Sequence, residues 1–253
     1  MKIAVAMSGG VDSSTAAYLL KAQGHEVVGL SMQMYDNLAN ADSTYGGCCT
    51  IDDLTDAKRV AWRLEIPHFT LNLESNFHEK VITPFVQGYL SGTTPSPCVL
   101  CNTHVKFDLF HKKAIAIGAD RIATGHYARI IKTMNDAGAA LHTGMDGNKD
   151  QSYFLCQLSQ DQLAKTLFPI GGLTKPEVRQ IAADNDLVTA DKKDSQGLCF
   201  IGKVRLPDFL QQKLKPRKGV IVEVPSNGAH YQQQVPEFDD KSDELAYRST
   251  KPL

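Results

Sequence analysis

Ser8-Gly9-Gly10-Val11-Asp12-Ser13-Ser14 gathers two glycines, three hydroxyls and a carboxylate in one short stretch. Adjacent glycines let the backbone bend and bring its N–H groups close to a bound group. The apolar residues 3–7 precede this stretch and Thr15-Ala16-Ala17-Tyr18-Leu19-Leu20 follows it. That order reads as a buried strand, a glycine turn and a helix start. A helix start adds N–H donors without intrahelical partners and the positive end of the helix dipole. The chemistry served is the binding of an anion, a phosphate or pyrophosphate. Asp12 would repel that anion unless a cation bridged the two. Mg²⁺ takes one or two carboxylates together with phosphate oxygens, so Asp12 reads as a metal-side residue. The Lys-Ser/Thr pair of a Walker A loop and the third spaced glycine of a dinucleotide fingerprint are both missing.

Sulfur is the second chemistry. Cys98-Val99-Leu100-Cys101 follows the stiff loop Thr93-Thr94-Pro95-Ser96-Pro97, and Cys199 follows Asp194-Ser195-Gln196-Gly197-Leu198. A structural zinc site needs four ligands. No second Cys-x-x-Cys or Cys-x-x-His occurs, and Cys48 and Cys49 are adjacent, which suits one tetrahedral ion poorly. Two readings of Cys98, Cys101 and Cys199 stay open. One thiol carries a persulfide that another resolves as its disulfide partner; or three thiolates hold an iron–sulfur cluster with one iron open. Cys156 lies among Tyr153, Phe154 and Leu155, and is expected to be a buried, inert thiol.

The elements that must position these groups alternate between strand and helix. Strands are predicted at 3–7, 27–30, 69–73 and 121–125. Helices are predicted from Thr50-Ile51-Asp52-Asp53 with core positions Leu54, Ala57, Ala61 and Leu64, then at 81–90 with an interruption at Pro84, and at 107–117. This order implies a parallel sheet covered by helices. Residues 135–147 read as an exposed turn or hairpin, and 151–167 and 175–186 as two further helices, the second with Pro176 in its first turn. A lone strand is predicted at 219–224. The polar stretches Gln232-Gln233-Gln234 and 239–244 beyond it read as loop or disorder.

The 253 residues, 42% hydrophobic, suffice for one large domain or one with a small appendage. A formal net charge of −1 leaves no global basic field, so a nucleic acid would be held by local patches. The basic residues Lys203, Arg205, Lys213, Lys215, Arg217 and Lys218 form one such candidate. No apolar stretch reaches membrane-spanning length and the N-terminus reads as a strand, which points to a cytoplasmic protein without membrane contact.

The signature S-G-G-x-D-S at Ser8–Ser13 resembles that of the PP-loop ATP pyrophosphatases, which adenylate a carbonyl-type oxygen and release pyrophosphate. Four further stretches make the likeness closer. They are Thr94-Pro95-Ser96-Pro97-Cys98-Val99-Leu100-Cys101-Asn102 with Val105-Lys106-Phe107, then Ala123-Thr124-Gly125-His126-Tyr127-Ala128-Arg129. Lys149-Asp150-Gln151-Ser152-Tyr153-Phe154-Leu155 and Asp194-Ser195-Gln196-Gly197-Leu198-Cys199-Phe200-Ile201-Gly202 complete the set. In this order they resemble the tRNA-specific 2-thiouridylase family, which uses ATP to adenylate the C2 oxygen of a wobble uridine and replaces it with sulfur.

The resemblance implies a Rossmann-like α/β PP-loop domain over 1–202, with 203–253 a linker and partial central domain. Members of that family are longer and end in a β-barrel, whose motif is not visible here. It implies ATP at Met7, Ser8, Gly9, Gly10, Val11, Asp12, Ser13 and Ser14, with Met32 and Gly125 beside the adenine and ribose, and Mg²⁺ with the ATP. Cys101 is implied as nucleophile and Cys199 as persulfide carrier. Cys98 stands where many members have Asp, which favours a 4Fe–4S cluster on Cys98, Cys101 and Cys199. Ser96, Pro97 and Cys98 with Lys149, Asp150 and Gln151 would surround the extruded base, and His126 would contact tRNA. The implied partners are tRNA and a persulfide or sulfide donor, with the protein itself a monomer. Two other readings stay open: an amide- or amidine-forming ligase of the same superfamily, which needs neither Cys101 nor Cys199, and a non-catalytic binder of tRNA or a cluster.

Overall fold

The structure is a computed structural model and describes residues 1–34, 51–132, 138–194 and 206–213. The chain divides into two compact units, Met1–Lys215 and Pro216–Leu253, and every described residue belongs to the first. The strand expected at 219–224, the polar stretches after it, and Cys48, Cys49 and Cys199 lie outside the described residues.

The elements begin with β1 (Lys2–Ala6), α1 (Val11–Ala22), β2 (Glu26–Gln33), α2 (Ile51–Arg63) and β3 (His68–Asn72). A helical run follows: α3 (Glu74–Phe77), a π-helical turn at His78–Ile82 and α4 (Thr83–Leu90). Pro84 sits in the first turn of α4. The wide turn before it accommodates the missing N–H, so the expected interruption is a local widening within one run. A second run comprises α5 (Pro97–Leu100), a π-helical stretch at Cys101–Leu109 and α6 (Phe110–Ala116). It starts at Pro97 rather than at 107, because proline's fixed φ is already helical at a first position. Both cysteines of the Cys-x-x-Cys pair are therefore on a helix.

Next come β4 (Arg121–Ala123) and the hairpin of β5 (Ala128–Lys132) and β6 (Ala139–Thr143), paired antiparallel with Ala128 opposite Thr143. The expectation of one helix over 151–167 is wrong. That stretch holds a 3₁₀ turn at Ser152–Leu155, the short α7 (Gln160–Ala164) and a fifth strand, β7 (Thr166–Leu167). Ser159 and Gln162 form a reciprocal capping box that starts α7 afresh, and a two-residue strand is too short to show a period. The described elements end with α8 (Lys175–Asp184), capped by Thr174 and Glu177, and α9 (Leu206–Lys213).

The five-stranded sheet runs β3-β2-β1-β4-β7 and every pairing is parallel. The chain steps outward from β1 to β3, then crosses to the far side of β1 for β4. This reversal opens a crevice at the carboxyl ends of β1 and β4, the place where such sheets bind ligands. Alternate residues of β1 feed two cores. Ile3, Val5 and Met7 pack with Val11, Ala16, Leu20, Ala57, Val60 and Val178 on the α1/α2/α8 face. Ala4 and Ala6 face Phe77, Val81, Phe85, Val105, Phe107 and Phe110 on the other. The small side chains on that second face leave room for the phenylalanines of both helical runs.

Candidate active site

At the carboxyl end of β1 the chain turns through Gly9, whose φ of +74° lies in the left-handed region that favours glycine. A side chain there would also strike the backbone of Asp53 in the first turn of α2. Gly10 occupies the N-cap of α1, so Val11, Asp12 and Ser13 present first-turn N–H groups without intrahelical acceptors. The hydroxyls stiffen the turn. The Ser13 hydroxyl accepts from the Ser8 N–H (3.2 Å) and donates to the Gly10 carbonyl (3.1 Å). Ser14 donates to the same carbonyl at 2.8 Å. Ser13 and Ser14 are buried and Ser8 is exposed, so Ser8 is the serine of the turn that faces solvent.

Gly125, just past β4, meets this turn from the neighbouring strand. A Cβ on Gly125 would lie 2.7 Å from both the Asp12 carbonyl carbon and the Ser13 nitrogen. Gly125 thus closes the crevice against the start of α1. Met7 and Met32 point into the two cores at 1% and 7% exposure; the Met7 N–H donates to the Leu30 carbonyl and its carbonyl accepts from the Ser31 hydroxyl.

Asp12 is engaged by donors from two other elements. Its Oδ1 accepts from the Tyr127 hydroxyl at 2.8 Å, and Lys175 Nζ donates to Oδ1 and Oδ2 at 2.8 and 2.9 Å. With an ammonium already on both oxygens, the donor set around Asp12 fits a lysine rather than a divalent cation. Lys175 is 7% exposed and opens α8. Its Nζ also reaches Asp194 Oδ1 at 2.7 Å, and its backbone N–H donates to Asp146 at 2.8 Å. Asp194 is held further by Lys149 (2.8 Å) and Arg179 (3.0 Å). Burial works to raise the Asp194 pKa, but hydrogen bonds from Lys149 and Lys175 outweigh it and hold the carboxyl at about 2. Lys149 is raised in turn by its hydrogen bond to Asp194. Burial and the neighbouring Asp12 push the Tyr127 phenol upward, so it stays a donor.

The cysteine helix approaches the same edge. Phe107 meets His126, next to Gly125, with ring centroids 5.9 Å apart. This run feeds β4 and therefore lies antiparallel to it. At about 1.5 Å per residue, Cys101 stands at most about 9 Å farther out along the helix than Phe107. Cys98 is half-buried and Cys101 is 4% exposed. Three residues apart, they share one helix face, and Ser96 occupies the N-cap position ahead of them with Pro97 at N1. Next to Cys101, the buried Asn102 donates to the Phe154 carbonyl at 3.0 Å, which docks the Ser152–Leu155 turn beside the thiols. Cys98 and Cys101 fit two of the three corners of a thiolate cluster and equally fit a thiol pair. Among the described residues no group of three His, Cys, Asp or Glu is arranged to hold a metal ion.

Other expected site residues have protein partners. His126 is half-buried, shares a 2.7 Å hydrogen bond with Thr124 through Nδ1, and packs between Phe107 and Phe168. Burial, then Lys106, lower its pKa well below the usual histidine value, so it is neutral at pH 7. Asp150 accepts from the N–H and hydroxyl of Ser152. Gln151 brackets Tyr127: its Oε1 accepts from the Tyr127 N–H at 3.0 Å and its own N–H donates to the Tyr127 carbonyl at 3.1 Å. Cys156, expected to be buried, is exposed. Three residues per turn in the 3₁₀ segment direct Leu155 inward and carry the next side chain out.

Lys175, Arg179, Asp146 and the Tyr127 hydroxyl were not singled out from the sequence. Lys175 stands before Pro176 at a helix start, where a lysine opposes the helix dipole, and that misfit was the available signal. A cavity of about 860 Å³ lies elsewhere, lined by Met1, Arg121, Arg129, Leu163 and Phe168 among others, and includes no residue of the glycine turn.

A glycine turn at the reversal point of a β3-β2-β1-β4-β7 parallel sheet, with two thiols on the helical run that enters β4, defines an open parallel α/β domain. Residues 1–203 match the family described as tRNA methyl transferase HUP domain, and the chain belongs to that family. It is 53% identical over 254 residues to the tRNA-specific 2-thiouridylase MnmA of Christiangramia forsetii, covering 99% of this chain and 63% of that protein. The Flavobacterium johnsoniae protein of the same name is 50% identical, with the same two coverages. That of Geotalea uraniireducens is 53% identical over 217 residues, 84% of this chain and 57% of its own. The likeness read from the motifs is thereby confirmed, and the chain spans just under two thirds of the length of the first two relatives. Among solved structures, a 4-thiouridine synthetase–RNA complex with bound ATP aligns at TM-score 0.48 and 14% identity, over 84% of this chain and 50% of that one.

Proposed function

We propose that this chain carries the nucleotide and sulfur sites of a tRNA-uridine 2-sulfurtransferase. The observation that supports the reading is that Gly125 closes against the Ser8–Ser14 turn while the helical run carrying Cys98 and Cys101 packs through Phe107 on His126, the residue after Gly125. The names of the relatives, tRNA-specific 2-thiouridylase, support it.

ATP binds with its phosphates over the first-turn N–H groups of Val11, Asp12 and Ser13, and its adenine lies along the backbones near Met32 and Gly125. Mg²⁺ bound with the ATP would neutralise part of the phosphate charge. The uridine C2 oxygen attacks the α-phosphorus, pyrophosphate leaves, and the base is joined to AMP through that oxygen. AMP is a far better leaving group than the original oxygen. A wobble base must leave the anticodon stack to be reached, and Lys149, Asp150 and Gln151 with Ser96, Pro97 and Cys98 would receive it. Cys199 bears a persulfide from a donor system. Its terminal sulfur attacks C2 and AMP departs with the oxygen. Cys101 then attacks the Cys199 sulfur of the base–S–S–Cys199 link, releasing the thiolated base and leaving a Cys101–Cys199 disulfide. A thiol reductant restores both thiols. His126, neutral and held by Thr124, borders the tRNA path. The protein works as a cytoplasmic monomer on its tRNA; among the described residues no helix is long and apolar enough to cross a membrane.

Cys98, one helical turn from Cys101, favours a second reading in which Cys98, Cys101 and Cys199 hold a 4Fe–4S cluster. Such a cluster would supply an iron not ligated by the protein, at which a sulfur donor could bind. Iron and acid-labile sulfide measured after anaerobic purification separate the two: an active, iron-free protein establishes the persulfide route. The function itself is tested by incubating unmodified tRNA with ATP and a persulfide donor, with nucleoside mass spectrometry as readout. Thiolated uridine in step with AMP formation supports it; ATP turnover that leaves the tRNA unthiolated overturns it.

A further inference from the structure

The Lys175 ammonium holds two carboxylates from distant parts of the chain, Asp12 beneath the glycine turn at 2.8 and 2.9 Å and Asp194 at 2.7 Å. Two helix starts, those of α1 and α8, meet here with Lys149, Lys175 and Arg179 on one side of the charge balance. Asp12, Asp194 and Asp146 stand on the other. Asp194 is the most heavily engaged carboxylate, contacted by all three cations, and its carboxyl stays ionised above a pH of about 2.

We propose that Lys175 is a positioning residue whose ammonium Asp194 and a polyphosphate at the Ser8–Ser14 turn compete to hold. The inference rests on the reading of that turn as the ATP site. In the resting protein Asp194 neutralises cations that would otherwise face the turn. When phosphates arrive, the Lys175 ammonium is shared with them and the hold on Asp194 weakens. Asp194 therefore acts as a built-in anion at the nucleotide site and sets its affinity from within. By reciprocity, whatever loosens Asp194 tightens nucleotide binding.

The two sides of the pair are predicted to respond with opposite signs, which a merely structural ion pair would not produce. Binding of ATP and of pyrophosphate is measured by titration calorimetry on the intact chain, with thermal midpoints recorded for every variant. Asp194→Asn frees Lys175 and tightens binding by about fivefold or more, while Lys175→Met weakens it by at least as much. Lys175→Arg restores most of the affinity, and the double variant behaves as Lys175→Met alone. Weaker or unchanged binding in an Asp194→Asn protein that melts like the parent overturns the proposal. If Asp194→Asn fails to fold, Lys149→Gln and Arg179→Gln serve instead. Each removes a rival cation from Asp194 without touching Asp12, so Asp194 holds Lys175 more tightly and nucleotide binding weakens; tighter binding in both overturns the proposal. A parent protein that binds neither ATP nor pyrophosphate overturns the underlying ATP reading, and the proposal with it.

Discussion

Gly125→Ala tests the crevice most sharply, because a single added carbon meets the backbone of α1 and the Cβ of Asp12. The new Cβ would stand 2.7 Å from the Asp12 carbonyl carbon and from the Ser13 nitrogen, and 3.0 Å from Asp12 Cβ. Neither neighbour is the end of a flexible side chain, so β4 and α1 must separate by several tenths of an ångström. Overpacking of this kind costs about 1–3 kcal/mol. At roughly 2–4 °C per kcal/mol for a domain of this size, the thermal midpoint falls by about 2–12 °C. The displaced element is the first turn of α1, so ATP affinity falls as well. Gly147→Ala is the control: nothing lies within 4 Å of its added carbon, and a surface change of that type stays within about 0.5 kcal/mol. Differential scanning calorimetry and ATP titration on the two variants decide the matter. A Gly125→Ala protein that melts and binds ATP like Gly147→Ala refutes the close approach of the two elements.

Cys101→Ser is expected to bind ATP as the parent does and to form no thiolated product, read by nucleoside mass spectrometry. Brief alkylation of the native protein followed by peptide mass spectrometry is expected to label exposed Cys156 well before Cys101, which is 4% exposed. His126 has a folded pKa below its unfolded value, so the unfolded chain gains the proton first as pH falls. Stability is therefore lost below about pH 6.5, by at most about 1.4 kcal/mol per pH unit from this one group. His126→Gln flattens that slope in thermal melts between neutral and mildly acidic pH, and an unchanged slope counts against a buried neutral ring.

Much of this site was legible from residue order. Gly9 and Gly10 between an apolar run and a helix start marked the turn, and the alternation of elements gave the parallel sheet and so the edge at which Gly125 lies. The helix beginning at Pro97 was read as starting later, because a Pro-Ser-Pro loop masks a helix whose first residue is itself proline. β7 was lost inside an apparent helix, since Thr166 and Leu167 acquire their strand identity only from pairing with Ile122 and Ala123. The Lys175 bridge was invisible for a deeper reason. Asp12, Tyr127, Lys175 and Asp194 are far apart in the chain, and only the fold brings the Tyr127 hydroxyl within 3 Å of Asp12 and the Lys175 ammonium within 3 Å of both carboxylates. From the sequence alone, nothing tied Asp12 to Lys175.

The most direct test of sulfur-for-oxygen exchange at one mouth of the sheet follows the departing oxygen. Unmodified tRNA carrying heavy oxygen at O2 of the wobble uridine is incubated with the protein, ATP and a persulfide donor, and the AMP is analysed by mass spectrometry. Heavy oxygen recovered in the AMP phosphate, in proportion to thiolated uridine, is the predicted result. Thiolated uridine accompanied by unlabelled AMP would contradict adenylation of the base and the site geometry built upon it.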